Sequence, residues 1–302
     1  MKPIHETLNP PNQQEKKETI VDPLKNDVTN HESDRWFLIG DLHGVEMPIE
    51  NFYEKNKAML SQDPSKNHII LLGDFGANYA LKGQRDHRFK TALSQYPFTY
   101  IALRGNHEAR AENVQRLFPD QWETIRKYGG QIYREKAFPQ IEYLSDSPAV
   151  YYFCEYKTLS IPGAYSIDKN YRLYHGLAWF EDEQLSAQEM DLGRQIVSQE
   201  KSFDLVISHT CPSLYEPVDL FLSGIDQSTV DKTMERYLGE LEFALDYKRW
   251  AWGHFHADRL YPWNNGKQML MLFNECVVDL KKFMEMGRNH SLEDILAVDL
   301  TP

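Results

Sequence analysis

The chain has 302 residues, 41% hydrophobic and 26% charged, enough to bury a substantial core and to exclude a wholly disordered, collagen-like or disulfide-scaffold protein. Lys plus Arg number 33 against 45 Asp plus Glu, and the formal charge of −12 argues against broad binding to nucleic acid or to a membrane, while leaving room for a local positive site. Cys154, Cys211 and Cys276 are odd in number, far apart and without Cys-x-x-Cys spacing, so neither a disulfide framework nor a thiolate zinc cluster is expected and a reducing compartment fits.

Residues 1–34 contain no aromatic residue, four prolines and many Lys, Glu, Asn and Gln, a composition that cannot offset ordering entropy and reads as a flexible tail. It has no apolar h-region, and no window approaches about 18 consecutive apolar residues, so a cytoplasmic protein is expected. The pattern changes at Trp36, where a short apolar run ends in Gly40-Asp41, the form of a strand buried on both faces. Two more such runs follow at 67–73 and 98–105. Ile49, Phe52, Tyr53 and Met59, then Phe89, Leu93 and Tyr96, are spaced as helix faces between them, giving β-α-β-α-β.

The stretch 109–150, with Pro119, Pro139, Pro148 and a Gly129-Gly130 turn, reads as a helix and loops forming a cover. Strands are predicted at 150–156 and 157–163. Ser186 and Glu189 have capping-box spacing ahead of Met190, Leu192 and Ile196, which opens a helix. A strand at 202–209, a helix over roughly 228–247, and strands at 249–256, 267–273 and 276–280 complete the chain. The sequence contains no internal repeat.

Five polar blocks stand at the ends of these strands: Gly40-Asp41-Leu42-His43-Gly44, Gly73-Asp74, Gly105-Asn106-His107-Glu108, Ser208-His209 and Gly253-His254-Phe255-His256. Each alone is an ordinary turn or a structural histidine. Together they carry a pattern: Asp41 to Asp74 spans 33 residues and Asp74 to Asn106 spans 32, each about one strand-helix-strand unit, so the groups recur at the same end of adjacent parallel strands. Open α/β sheets place ligands there. Two carboxylates, a carboxamide and several imidazoles suit a borderline divalent ion, and Asp74 at the centre could bridge two of them. Asp41, His43, Asp74, Asn106, His209, His254 and His256 are therefore the candidate metal ligands.

This ordered set resembles the signature of the calcineurin-like metallophosphoesterases over residues 36 to about 280, and the Leu103-Arg104-Gly105-Asn106-His107-Glu108 run is most similar to their phosphoprotein-phosphatase branch. The resemblance implies an α/β fold, a four-layer α/β/β/α sandwich of two packed mixed sheets flanked by helices, as one domain over 35–302. It implies two divalent ions, manganese foremost, with iron, zinc or magnesium as alternatives. Asp41, His43, Asp74 and His256 would hold the first ion; Asp74, Asn106, His209 and His254 the second. A hydroxide bridging the ions would attack a phosphomonoester, His107 would protonate the leaving group, and Arg104 would grip the phosphate beside Asn106. His107 would not be a ligand. The second block continues as Phe75-Gly76-Ala77-Asn78-Tyr79, without the Asp and Arg of the protein phosphatases, so the resemblance implies phosphoester hydrolysis and leaves both a phosphoprotein and a small phosphorylated metabolite as substrate.

The run Gly163-Ala164-Tyr165-Ser166-Ile167-Asp168-Lys169-Asn170-Tyr171-Arg172, followed by Trp179-Phe180-Glu181-Asp182-Glu183-Gln184-Leu185-Ser186, is similar to phosphoesterases of this family found in bacteria and their phages. Asp168, Lys169 and Arg172 sit in a loop that could recognise a phosphorylated protein or metabolite, or is simply a solvated turn. Other readings are a nucleotide or dinucleoside polyphosphate hydrolase, or a nuclease, with Tyr79, Tyr165 or Trp179 stacking a base, and a non-catalytic scaffold that has lost its metals. His68, His87 and His175 read as structural, Trp36, Trp250 and Trp252 as core, and Cys211 as a small buried thiol. Oligomeric state is left open by the sequence.

Overall fold

Side chains alternate across the first strand, β1 (Arg35–Ile39), with Trp36 and Leu38 entering one apolar cluster while Phe37 and Ile39 enter another. A strand buried on both faces must lie between two layers. The computed structural model describes residues 34–81 and 84–297; the predicted tail, apart from Asp34, lies outside the described residues. After β1 come α1 (Met47–Asn56), β2 (Asn67–Leu71), α2 (Arg85–Leu93) and β3 (Thr99–Ala102). The three strands pair in parallel, as the spacing of the apolar runs predicts.

The stretch expected as a helix and loops is instead one short helix, α3 (Ala111–Leu117), and three strands, β4 (Trp122–Lys127), β5 (Gly130–Glu135) and β6 (Ile141–Leu144), which extend the same sheet. β4 lies at the edge with a polar outer face, so Glu123, Arg126 and Lys127 hide its period-2 pattern. A second sheet begins with β7 (Ala149–Phe153) and β8 (Tyr156–Ile161), a hairpin turning at Cys154. After α4 (Lys169–His175), α5 (Ala187–Gln199) opens on Ser186 with the predicted capping box complete. Then follow β9 (Ser202–Ser208), α6 (Thr233–Ala244), β10 (Asp246–Trp252), β11 (Arg259–Leu260), β12 (Gln268–Met271), β13 (Val278–Asp279), α7 (Leu280–Glu285) and α8 (Leu292–Ile295).

The seven-stranded sheet has the order β13-β1-β2-β3-β6-β5-β4 and the six-stranded sheet β11-β12-β10-β9-β8-β7, both mixed. Leu38, Ile70, Ile101, Leu205, Ile207 and Ala251 pack between the sheets. Ile49, Phe52, Phe89 and Leu93 seal α1 and α2 on the outer face of the first; Met190, Val197, Leu238 and Leu241 seal α5 and α6 on the second. This is the expected α/β/β/α sandwich. Trp36, Trp250 and Trp252 are buried in it, as is Cys211, whose thiol is pushed well up by burial. Among the described residues no helix is long and apolar enough to cross a membrane.

Candidate metal centre

The parallel strands β1, β2 and β3 end side by side, and so do β9 and β10 of the other sheet, so the polar blocks following them meet where the two sheets come together. Short main-chain bonds bind the turns: His43 N–H donates to the Asp74 carbonyl at 2.8 Å, and Gly253 N–H to that of His209 at 3.0 Å. His43, Asp74, His254 and His256 adopt φ of 51°, 47°, 72° and 51°, a left-handed conformation that costs a non-glycine residue and persists only where surrounding contacts impose it. Two glycines give the candidate ligands room. A Cβ on Gly105 would strike the Asp74 carboxylate, and one on Gly253 that of Asp41.

The geometry gathers the predicted residues into three overlapping groups: Asp41, His43 and His256; His43, Asp74 and His107; and Asp41, Asp74 and His209. Within each, one donor atom per residue lies within 4.8 Å of the others. His256 Nε2 is 3.4 Å from Asp41 Oδ2 and 2.8 Å from His43 Nε2, while His43 Nδ1 is 4.0 Å from Asp74 Oδ2. On the other side His209 Nε2 lies 2.9 Å from Asn106 Oδ1 and 3.4 Å from Asp74 Oδ1. His254 stands apart from these groups. Its ring packs edge-on against His209 at 4.9 Å, and its N–H donates to both Asp41 oxygens at 3.0 Å.

A model of the calcineurin-like phosphoesterases matches residues 35–258. The chain belongs to the calcineurin-like phosphoesterase family. The family is dinuclear and metal-dependent. Its fold is similar to that of a Thermus thermophilus protein (12% identity, TM-score 0.45, covering 82% of this chain and 95% of that one). It is also similar to a dimetal phosphatase from Danio rerio (10%, 0.42, 82% and 93%) and to a phosphopantetheinyl hydrolase from Mycobacterium tuberculosis (14%, 0.40, 80% and 90%). No curated protein matches the sequence.

In this phosphoesterase chain the donor set fits divalent ions. His209 Nδ1 donates to the Leu72 carbonyl at 2.8 Å, which aims Nε2 at two oxygen acceptors, Asn106 Oδ1 and Asp74 Oδ1. That arrangement calls for positive charge at Nε2, a proton on the ring or a divalent ion in its place. Burial works against charge on His209, yet Asp74 and Asp41 outweigh it and raise its pKa to about 9, the electrostatic demand of the same site. Burial holds His43 down to about 4 and lowers His254 and His256, which favours the neutral rings that metal ligation needs. Burial pushes Asp41 up; Asp74, although buried, is drawn down by His209 and His107.

Arg104 lies beneath the candidate ligands. It is 5% exposed, and its guanidinium turns away from the cavity over the ligands to donate to the carbonyls of Glu183 at 2.6 Å and Gly105 at 3.1 Å, with Asp146 3.3 Å from Nε. So held, Arg104 braces the turns beneath the site, while its Nη2 has no hydrogen-bond partner among the described residues. This brace supports a relay absent from the sequence reading. Glu183 accepts from Ser166 N–H at 2.9 Å and from its hydroxyl at 2.5 Å, and Asn106 Nδ2 donates to that hydroxyl at 2.9 Å, so Asn106 Oδ1 is turned toward His209. Glu108 was also missed. Its carboxylate accepts from Gly105 N–H at 2.8 Å and Gly76 N–H at 2.9 Å, clipping two ligand turns together, and burial raises it to about 7. The polar residues within 163–172 and 179–186 were the available signal for Ser166 and Glu183.

Arg172 is the arginine that reaches the site. The segment expected as a loop folds as α4, with Asp168 at its N-terminal boundary, and Arg172 is 2% exposed with Nε bonded to Asp168 at 2.8 Å and Nη1 to the Ala178 carbonyl at 3.1 Å. Its Nη2 touches both nitrogens of the His107 ring. His107 Nε2 in turn lies 3.7 Å from Asp74 Oδ2. Of the proposed stacking rings, Tyr165 lines the cavity, whereas Tyr79 lies under Arg85 at 4.4 Å and Trp179 under Lys169 at 4.0 Å.

Proposed function

We propose that this chain hydrolyses phosphomonoesters at a dinuclear centre held by Asp41, His43, Asp74, Asn106, His209, His254 and His256, within one catalytic domain over 35–302. The observation carrying this reading is the shared position of Asp74, within 4.0 Å of His43, His107 and His209 from three separate turns. Beyond the family match, β12 and β13 pair with β10 and β1, which supports the extent of the domain. Two bound divalent ions, manganese foremost, supply Lewis acidity and activation of water.

The protein's own side chains do the rest. Arg172 presents Nη2 to the equatorial phosphate oxygens, with its other nitrogens anchored so that little freedom is lost on binding. His107, beside it and partly buried, gives a proton to the departing oxygen, a contribution of roughly 10²- to 10⁴-fold. A cytoplasmic setting accords with the three free cysteines.

The test is a panel of phosphopeptides, mononucleotides, dinucleoside polyphosphates and cyclic nucleotides, run with manganese and with chelator. Phosphate release from monoesters that chelator abolishes is the expected result. Cleavage confined to diesters or to anhydrides would overturn the proposal.

A further inference from the structure

A cavity of about 360 Å³ opens directly on Asp74, Asn106, His107, His254 and His256, and its walls are largely apolar. Tyr165 and Ile167 form one side; Leu220, Phe221, Leu222 and Val230 form the other, and Phe255, between two candidate ligands, stacks on Phe221 at 6.4 Å. A second cavity of about 430 Å³ shares Tyr165, Ile167, Asp168, Leu222 and Val230 with the first, so the groove runs from the metal centre outward. Ile167, Leu220 and Leu222 are 43%, 41% and 62% exposed, apolar surface that an occupant would cover.

The charges along this groove are selective. Asp168, Asp226 and Asp231 line it, and Glu235 is tied to the Thr210 hydroxyl at 2.7 Å. Lys232, the cation on its wall, is bonded to Glu216 and lies 4.5 Å over the Phe221 ring. Arg172 sits at the inner end, on His107. A second phosphate carried outward along the groove would meet carboxylates and, among the described residues lining it, no unengaged cation, whereas an aromatic or aliphatic body would meet Phe221, Leu222 and Val230.

We infer that this groove is the leaving-group site, and that the substrate is a monophosphate ester of an apolar, aromatic-sized alcohol bearing no further anionic group. The inference rests on the phosphomonoesterase reading above. Covering a phenyl-sized group there corresponds to an advantage on the order of ten- to a hundredfold in kcat/KM.

The experiment compares 2-phenylethyl phosphate with ethyl phosphate, esters of primary alkanols, and includes a nucleoside diphosphate, all with the manganese-loaded full chain. The phenylethyl ester is expected to lead by ten- to a hundredfold, chiefly through KM, and the diphosphate to be the poorest. In a Leu222→Ser, Val230→Ser double variant, altered where the wall meets solvent, the ratio between the two esters should fall below about threefold. A wild-type ratio near one, or a ratio untouched by the double substitution, overturns the groove while leaving the hydrolase reading intact. No release from either ester, with phosphopeptides or mononucleotides still hydrolysed, overturns the groove alone; no release from any monoester overturns both.

Discussion

Asn106 is oriented by Ser166. The carboxamide nitrogen donates to the serine hydroxyl at 2.9 Å, the hydroxyl donates in turn to Glu183 at 2.5 Å, and the carboxamide oxygen is left facing His209. Removing the hydroxyl frees the carboxamide to rotate. Ser166→Ala should weaken metal affinity by about 10- to 100-fold, the usual cost of losing a group that orients a ligand, with Ser166→Thr restoring much of it. Isothermal titration with manganese measures this directly. Unchanged affinity in the alanine variant would show that Asn106 needs no such support.

Asp74 faces both halves of the centre, so Asp74→Asn should empty it. Metal content by elemental analysis and phosphate release should fall together, the latter by on the order of 100-fold or more. His107→Ala should separate the two readouts, keeping the metals and losing rate chiefly with alkyl esters, whose leaving oxygens need a proton. Full activity of the His107 variant on an alkyl phosphate would remove its assigned role.

The two arginines should behave oppositely. Arg104→Met leaves Asp146 buried without its partner and strips the Glu183 and Gly105 carbonyls, so urea unfolding should report a loss of about 3–5 kcal/mol. Arg172→Met should instead raise KM by about 10- to 100-fold through loss of a charge-assisted phosphate contact. A KM defect confined to the Arg104 variant would reverse these assignments.

His68 provides a pH dependence far from the site. It stacks on Trp36 at 3.9 Å in the core, and burial, with Lys127 adding to it, lowers its pKa from 6.5 to about 4. Between these values the unfolded chain binds a proton that the folded one does not, so this residue's contribution to stability falls as pH drops from 6.5 toward 4, by up to about 3 kcal/mol. His68→Phe should flatten the urea midpoint over that window. A wild-type slope retained in the variant would place the acid sensitivity elsewhere.

The turns bearing the candidate ligands were legible because each follows an apolar run closed by glycine or serine, and strand spacing then brings Asp41, Asp74 and Asn106 to one edge. β4 to β6 were not, since Trp122–Lys127 shows a solvent face of charges that reads equally as loop. The direction of the Arg104 side chain was not legible either. Arg104 is two residues from Asn106, but β3 has ended at Ala102, and beyond a strand's end neighbouring positions no longer predict where side chains point. The left-handed turns at His43, His254 and His256 have no sequence mark at all, because histidine is not a residue that demands such a backbone.

Asp41, His43, Asp74 and Asn106 follow strands of one sheet, whereas His209, His254 and His256 follow strands of the other. Cations seated among them would rivet the two halves of the sandwich, so loading would be felt as cohesion as well as chemistry: at 100 times the dissociation constant, about 2.7 kcal/mol. A chelator would then soften the whole molecule, and heat resistance would track the supply of ions.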